Sequence, residues 1–90
     1  MFEFDPAKSE ANRAKHGIDF EEAQALWQDE RRIILKIQRV SLPEERWLVV
    51  GRIGDPIWTA VVTYRAERTR IISVRRARES EVRAYDGKAD

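Results

Sequence analysis

The 90-residue chain contains no cysteine, one histidine, four glycines and three prolines. Without cysteine there is no disulfide scaffold, no thiol nucleophile and no thiolate metal site. One histidine cannot complete an ordinary zinc ligand set either, so no metal site and no cofactor are expected. No apolar run approaches the roughly 18 residues of a membrane span, and no signal-peptide-like segment follows Met1. A soluble, cytoplasmic chain without a membrane partner is therefore expected. A phosphate-cradling glycine loop is missing, as are the usual nucleophile–histidine triads. An excess of one charge is missing too: 17 Lys+Arg stand against 16 Asp+Glu, a formal net charge of +1. That balance excludes a generic polycation that coats DNA or a membrane surface.

What is present is enough apolar residue, 42%, for one modest core. The reading is a single domain over residues 1–90, with 86–90 a frayed tail. The near-neutral charge conceals an uneven distribution. Residues 1–30 carry eight acids against three bases, and residues 65–78 carry six arginines against Glu67 alone. Arginine suits bidentate phosphate or carboxylate binding better than lysine. A cationic sheet surface is compatible with near-neutrality if the acids lie elsewhere.

The pattern along the chain predicts an α+β fold in the order β-α-α-β-β-β-β-α. Phe2 and Phe4 flank Glu3 in a short strand, and Asp5-Pro6 is an N-cap followed by a first-turn proline. Ala7, Ala11 and Ala14 share a face of the helix Ala7–His16, a small-residue stripe suited to a sheet, and Gly17 ends it. Asp19 and Glu22 form a capping-box pattern for a second helix, with Phe20, Ala23, Leu26 and Trp27 as its apolar stripe. The residues 33–40 are β-rich and 41–45 turn-like. Strands follow at 46–53, 57–65 and 69–76, with short links that imply an antiparallel meander. A short helix over 79–85 closes the fold. The two N-terminal helices are expected on one face of a mainly antiparallel, twisted sheet, leaving the other partly open.

His16 is the default general acid or base, set against a plain helix-capping role. Alternation over Thr69–Arg76 places Ile71, Ser73 and Arg75 on one face and Arg70, Ile72, Val74 and Arg76 on the other. A hairpin about Glu67-Arg68 brings Arg65 near Arg70 and leaves Arg75 apart, so the arginines divide into two groups. Tyr85 is either a base-stacking or hydrogen-bonding phenol or a packed aromatic with its hydroxyl at the rim. Packing accounts for Trp47 and Trp58. Glu45 is either a base or, more simply, the partner of a nearby arginine. An inventory of arginines, one histidine, a tyrosine and glutamates suits RNA cleavage by the neighbouring 2′-hydroxyl. That substrate brings its own nucleophile and needs only proton transfer and cations.

The residues Phe4-Asp5-Pro6-Ala7-Lys8, Asn12, Lys15-His16-Gly17, Phe20-Glu21-Glu22-Ala23, Glu45-Arg46-Trp47, Gly51, Thr63-Tyr64-Arg65, Arg70-Ile71-Ile72-Ser73-Val74-Arg75-Arg76-Ala77, Glu81 and Tyr85 resemble, in order, the BrnT family of toxins. The segment Gly54-Asp55-Pro56-Ile57-Trp58 and Val74 depart from that pattern. The resemblance implies a RelE-like fold and a metal-independent endoribonuclease that arrests translation. It also implies neutralisation by a BrnA-like ribbon-helix-helix antitoxin, with DNA bound only through that complex, which represses its own operon. Carried over, the resemblance makes His16, Arg65, Arg75 and Tyr85 the candidate catalytic residues. Lys15, Arg46, Arg70 and Arg76 are the candidate RNA-binding residues. A different reading of the same arginines is a non-catalytic module whose sheet docks an acidic partner. Direct DNA reading by this chain alone is disfavoured, because no helix is basic enough for a major groove.

Overall fold

Asp5 and Pro6 begin the first helix as their chemistry dictates. The Asp5 carboxylate accepts from the Ala7 N–H at 2.9 Å, and proline occupies the first turn, where its missing N–H costs nothing. The computed structural model describes residues 1–37 and 44–88. In chain order these form β1 (Phe2–Glu3), α1 (Pro6–His16), a 3₁₀ helix (Glu22–Gln28), β2 (Ile33–Lys36), β3 (Trp47–Arg52), β4 (Ile57–Arg65), β5 (Arg68–Arg76) and α2 (Glu79–Lys88). The expected order holds, with the second helix tightened to 3₁₀. Its capping box is formed as the spacing implied: Asp19 N–H donates to Glu22 at 3.0 Å and Glu22 N–H to Asp19 at 2.7 Å. Gly17 ends α1 at φ 82°, the left-handed conformation glycine adopts freely.

The five strands form one mixed sheet in the order β1-β5-β4-β3-β2. β2 to β5 are the antiparallel meander, while β1 runs parallel to β5. Parallel neighbours need a long crossover, and here everything from α1 to β4 supplies it. Residues 38–40 of the expected first meander strand, and 41–43 of the turn after it, lie outside the described residues. At the other end α2 continues to Lys88, so residues 86–88 are helical where a frayed tail was expected. Residues 89 and 90 lie outside the description. No helix among the described residues is long and apolar enough to cross a membrane.

One face of the sheet carries Val49, Ala60, Val62, Ile71 and Val74. It packs against Ile18 and against Phe20, Ala23 and Leu26 in and before the 3₁₀ helix. Each such fully buried aliphatic side chain contributes roughly 1.5–3 kcal/mol. Phe2 meets Trp27, and Phe4 meets Phe20, in edge-to-face contacts that close this layer. A bulge corrects the simple alternation on β5. Val61 pairs with Ser73 but Val62 with Ile71, so Ile72 is the extra residue. Ile71 and Val74 consequently share the core face, and Arg70 and Arg75 share the opposite one.

The alanine stripe of α1 does not face the sheet: Ala7, Ala11 and Ala14 are exposed, while Ser9 and Asn12 are buried. The polar side chains go inward because backbone groups there need partners. Beyond the two residues of β1 the edge of β5 lacks a neighbouring strand, and the Asn12 side-chain oxygen accepts from Val74 N–H at 3.1 Å. The same amide donates to Ile18 C=O at 2.8 Å, and Ser9 Oγ accepts from Phe20 N–H at 2.9 Å. Asn12→Ala strands two buried backbone groups and is expected to cost about 2–3 kcal/mol in urea unfolding. Arg13→Ala, which removes only exposed pairs to Asp19 and Glu22, should stay within about 0.5 kcal/mol of the parent. Equal losses in the two variants would contradict the edge-capping role.

Candidate functional site

The second face of the sheet is covered at one end by α2. Glu81, in the first turn of α2, reaches down to the strands and is 6% exposed. Its carboxylate takes both terminal nitrogens of Arg75 at 2.8 Å, the hydroxyl of fully buried Thr59 at 2.9 Å and the Arg78 N–H at 2.8 Å. The fork of Arg75, outweighing burial and aided by the other two donors, holds the Glu81 carboxyl at about 2. The Arg75 guanidinium is raised in turn by the same bond. This ion pair, buried on the Glu81 side and 21% exposed on the Arg75 side, welds α2 to β4 and β5.

At the opposite end, the β4–β5 hairpin gathers a second cationic group. Arg65 grips Glu44 with two bonds of 2.8 and 2.7 Å, and both side chains are 40–50% exposed. That hydrogen bonding, with the charges of Arg65, Arg46 and Arg70 around it, lowers the Glu44 carboxyl. Arg70 pairs with Glu3 at 3.2 Å across the parallel β1–β5 contact. The arginines therefore divide in two, as the hairpin reading implied. The acids, however, are not elsewhere. Glu3 of the acidic stretch sits against Arg70, and Glu44 and Glu81 hold the other two arginines.

A third cluster lies where β2 begins. Asp29 follows the 3₁₀ helix, and its Oδ2 takes the place a longer β2 would have beside β3, accepting from Arg52 N–H at 2.8 Å. The same oxygen accepts from the Tyr85 hydroxyl of α2 at 2.6 Å, while Oδ1 accepts from Arg31 N–H at 2.9 Å. Burial raises the Asp29 carboxyl, but the Tyr85 bond and the two N–H groups outweigh it, so it sits below the usual carboxylate range. Tyr85 is shifted upward by burial and by the anion it touches. The pair is thus a fixed carboxylate and a phenol that keeps its proton. The Arg52 guanidinium lies 5.8 Å from the centre of the Tyr85 ring. An open cleft of about 490 Å³ borders this group, lined by Gln28, Asp29, Arg31, Arg52, Gly54 and Tyr85 among others, with Tyr85 itself 6% exposed. Gly51 permits the approach: a Cβ there would stand 3.1 Å from Leu26 and 3.3 Å from Asp29 Oδ2.

Of the expected residues, Arg75 is tied to α2 through Glu81, one helical turn before Tyr85, but it does not line the Tyr85 cleft. Arg65, Arg46 and Arg70 are at the far end of the sheet. His16 and Lys15 end α1, which packs at β5 toward the core face, away from Arg75 and Tyr85. The His16 imidazole makes no hydrogen bond among the described residues, and the last turn is closed by Gly17 N–H to Arg13 C=O at 2.9 Å. Arg76 lies over the Trp58 ring at 5.3 Å, on the face away from Arg75. Glu45 pairs with Lys36 at 3.2 Å, not with an arginine; Glu44 is the arginine partner. Sequence reading missed Asp29, Arg52 and Arg31. The available signal was Gly51 inside an apolar strand, a mark of close approach by another segment.

The sequence matches, over residues 4–81, the family described as the ribonuclease toxin, BrnT, of type II toxin–antitoxin systems. Among curated proteins no match is found.

Proposed function

We propose, because this chain belongs to the BrnT family of ribonuclease toxins of type II toxin–antitoxin systems, that it cleaves RNA without a metal ion at the Asp29–Tyr85–Arg52 cleft. The observation that carries this reading is the 2.6 Å bond between a phenol that keeps its proton and a fixed carboxylate, beside the arginines of an open cleft. Cleavage by the neighbouring 2′-hydroxyl needs what that cluster contains. The 2′-oxygen gives its proton to the Asp29 carboxylate by way of the Tyr85 hydroxyl and bonds to phosphorus. The P–O5′ bond breaks, and O5′ recovers the proton from the same pair. Arg52 and Arg31 balance the charge that gathers on the phosphoryl oxygens. The products are a 2′,3′-cyclic phosphate and a 5′-hydroxyl.

On this reading Arg75 positions the site by fixing α2, and Tyr85 with it. His16 and Lys15 lie outside it. Arg65, Arg46 and Arg70, with Arg76, serve RNA or partner binding and not the chemistry. The fold is RelE-like, the location cytoplasmic, and the neutralising partner a BrnA-like ribbon-helix-helix protein through which alone the operon DNA is bound and repressed. Arg65 favours an acidic docking segment in that partner, since it already holds an exposed carboxylate in bidentate geometry. Exposed pairs of this kind cost little to exchange.

The purified chain incubated with RNA in excess EDTA should give fragments with 2′,3′-cyclic phosphate ends, and its induction without antitoxin should halt translation. Intact RNA under those conditions would leave the non-catalytic docking module as the reading to keep.

A further inference from the structure

Both ends of edge strand β2 open onto clefts. Asp29, Arg31, Arg52 and Tyr85 line the one at its start. The second lies beside its last residue, Lys36, and is about 450 Å³, lined by Glu44, Glu45, Trp47, Thr63 and Tyr64. Four residues of strand separate the two, about 13 Å. The reaction proposed above uses nothing in this second cleft, yet its composition is unusual for a surface this small.

Tyr64 is 43% exposed, one of four large hydrophobic residues left so open among those described. Its ring meets Trp47 edge-on at 6.0 Å between centroids. Trp47 in turn carries the Lys36 ammonium 5.5 Å from its centre, and Lys36 also pairs with Glu45 at 3.2 Å. Glu45 is anchored from behind, because its backbone carbonyl accepts from the Thr63 hydroxyl at 2.7 Å. Its side chain is 67% exposed, held only by that one pair to lysine. A half-exposed aromatic ring and a loosely held carboxylate therefore line one cleft, with the Lys36 ammonium beside it.

We infer that this cleft is a nucleobase subsite, and that its ligand is guanine in single-stranded RNA; the inference rests on the ribonuclease reading. Single-stranded RNA is recognised by stacking unpaired bases on aromatic rings and bonding their Watson–Crick edges. Tyr64 supplies the ring, with Trp47 setting its orientation. The choice among bases follows from Glu45. An ionised carboxylate has only acceptors. Guanine alone presents two N–H donors side by side, at N1 and N2, to match them. Adenine and cytosine pair each amino donor with an acceptor nitrogen, and uracil flanks its single N–H with two carbonyls. Each would set an acceptor against the carboxylate. Lys36, released from Glu45 on binding, is placed for the adjoining phosphate.

Guanosine 5′-monophosphate and adenosine 5′-monophosphate, titrated separately into the intact chain by calorimetry, test this without any cleavage. The guanine nucleotide should bind at least about tenfold more tightly. Tyr64→Ala should weaken it about tenfold, within the range that stacking on one aromatic ring supplies. Glu45→Gln should erase the preference while leaving comparable binding of both nucleotides. Both changes are at exposed side chains, and unchanged thermal unfolding verifies that each variant is folded. Equal binding of the two nucleotides by the parent, or an unaltered preference in Glu45→Gln, overturns the inference. Binding with guanine preference in a chain that does not cut RNA would overturn the ribonuclease reading and leave the subsite standing. Cutting without that preference would do the reverse.

Discussion

Glu81→Ala should remove about 3–5 kcal/mol of folding stability, enough to leave much of a 90-residue domain unfolded. The size follows from what the side chain holds. Arg75 would lose both partners of its fork, the buried Thr59 hydroxyl would lose its acceptor, and the first turn of α2 would lose the cap on Arg78 N–H. The partly buried cation, left with only the Arg76 carbonyl, is the costliest of these. Replacing both charges by apolar groups, Arg75→Met with Glu81→Leu, should recover at least half of the loss, because no charge is then stranded. Urea unfolding followed by tryptophan fluorescence measures all of them. A loss below about 1 kcal/mol for Glu81→Ala would show that the pair is not the weld between α2 and the sheet.

The same pair gives stability a pH signature. Glu81 titrates at about 2 in the folded chain against an ordinary 4.5, so folding favours the ionised form. Its contribution is fully present above pH 4.5 and is lost as the pH falls from 4.5 toward 2. The shift corresponds to roughly 3 kcal/mol. Asp29, also lowered, acts in the same direction. Stability should therefore fall through that acid range in the parent, and much less steeply in the double apolar variant. These relations also bear on toxicity. Arg75→Ala is expected to relieve growth arrest, but it leaves Glu81 buried without its cation. The folded fraction must be measured beside the phenotype before Arg75 is given a role in chemistry.

The elements were legible because their signals are local. Asp5-Pro6, Gly17 and the Asp19–Glu22 box each act within four residues, and each cap is formed as read. β4 begins and ends at Ile57 and Arg65 because apolar alternation and turn residues mark both limits. The failures have a common physical origin in contacts distant along the chain. Nothing near Asn12 reveals that Val74, 62 residues on, needs an acceptor, so the alanine stripe was the natural choice for the buried face. The bulge at Ile72 depends on how β4 and β5 pair, and one extra residue reversed the faces of Arg70 and Ile71. Arginine pairing was invisible for the same reason: Glu3 and Arg70 are 67 residues apart. Tyr85 was legible as a candidate and Asp29 was not, since a lone acid after a helix has many ordinary uses. Only the fold shows that its carboxylate stands in for an absent strand.

Asp29→Asn tests the chemistry most directly, and RNA cleavage is expected to fall at least about 100-fold, a loss of roughly 2.7 kcal/mol in the barrier. The amide is nearly isosteric. Its oxygen can keep the bonds from Tyr85 and Arg52 N–H, leaving only Arg31 N–H opposed to a donor, so stability should drop by no more than about 1–2 kcal/mol. What the amide cannot do is accept and return a proton. Tyr85→Phe removes the hydroxyl that relays the proton and should show a loss of similar size. If the two residues act as a unit, combining the changes should cost little more than either alone. Two independent structural contributions would instead multiply, giving a double variant about as much worse again. Activity of the parent should also persist into acid below the usual carboxylate range, because Asp29 stays ionised there, for as long as the Glu81 pair keeps the chain folded. A folded Asp29→Asn chain that cuts RNA at the parental rate would remove the cleft from the reaction and direct the search to the hairpin arginines.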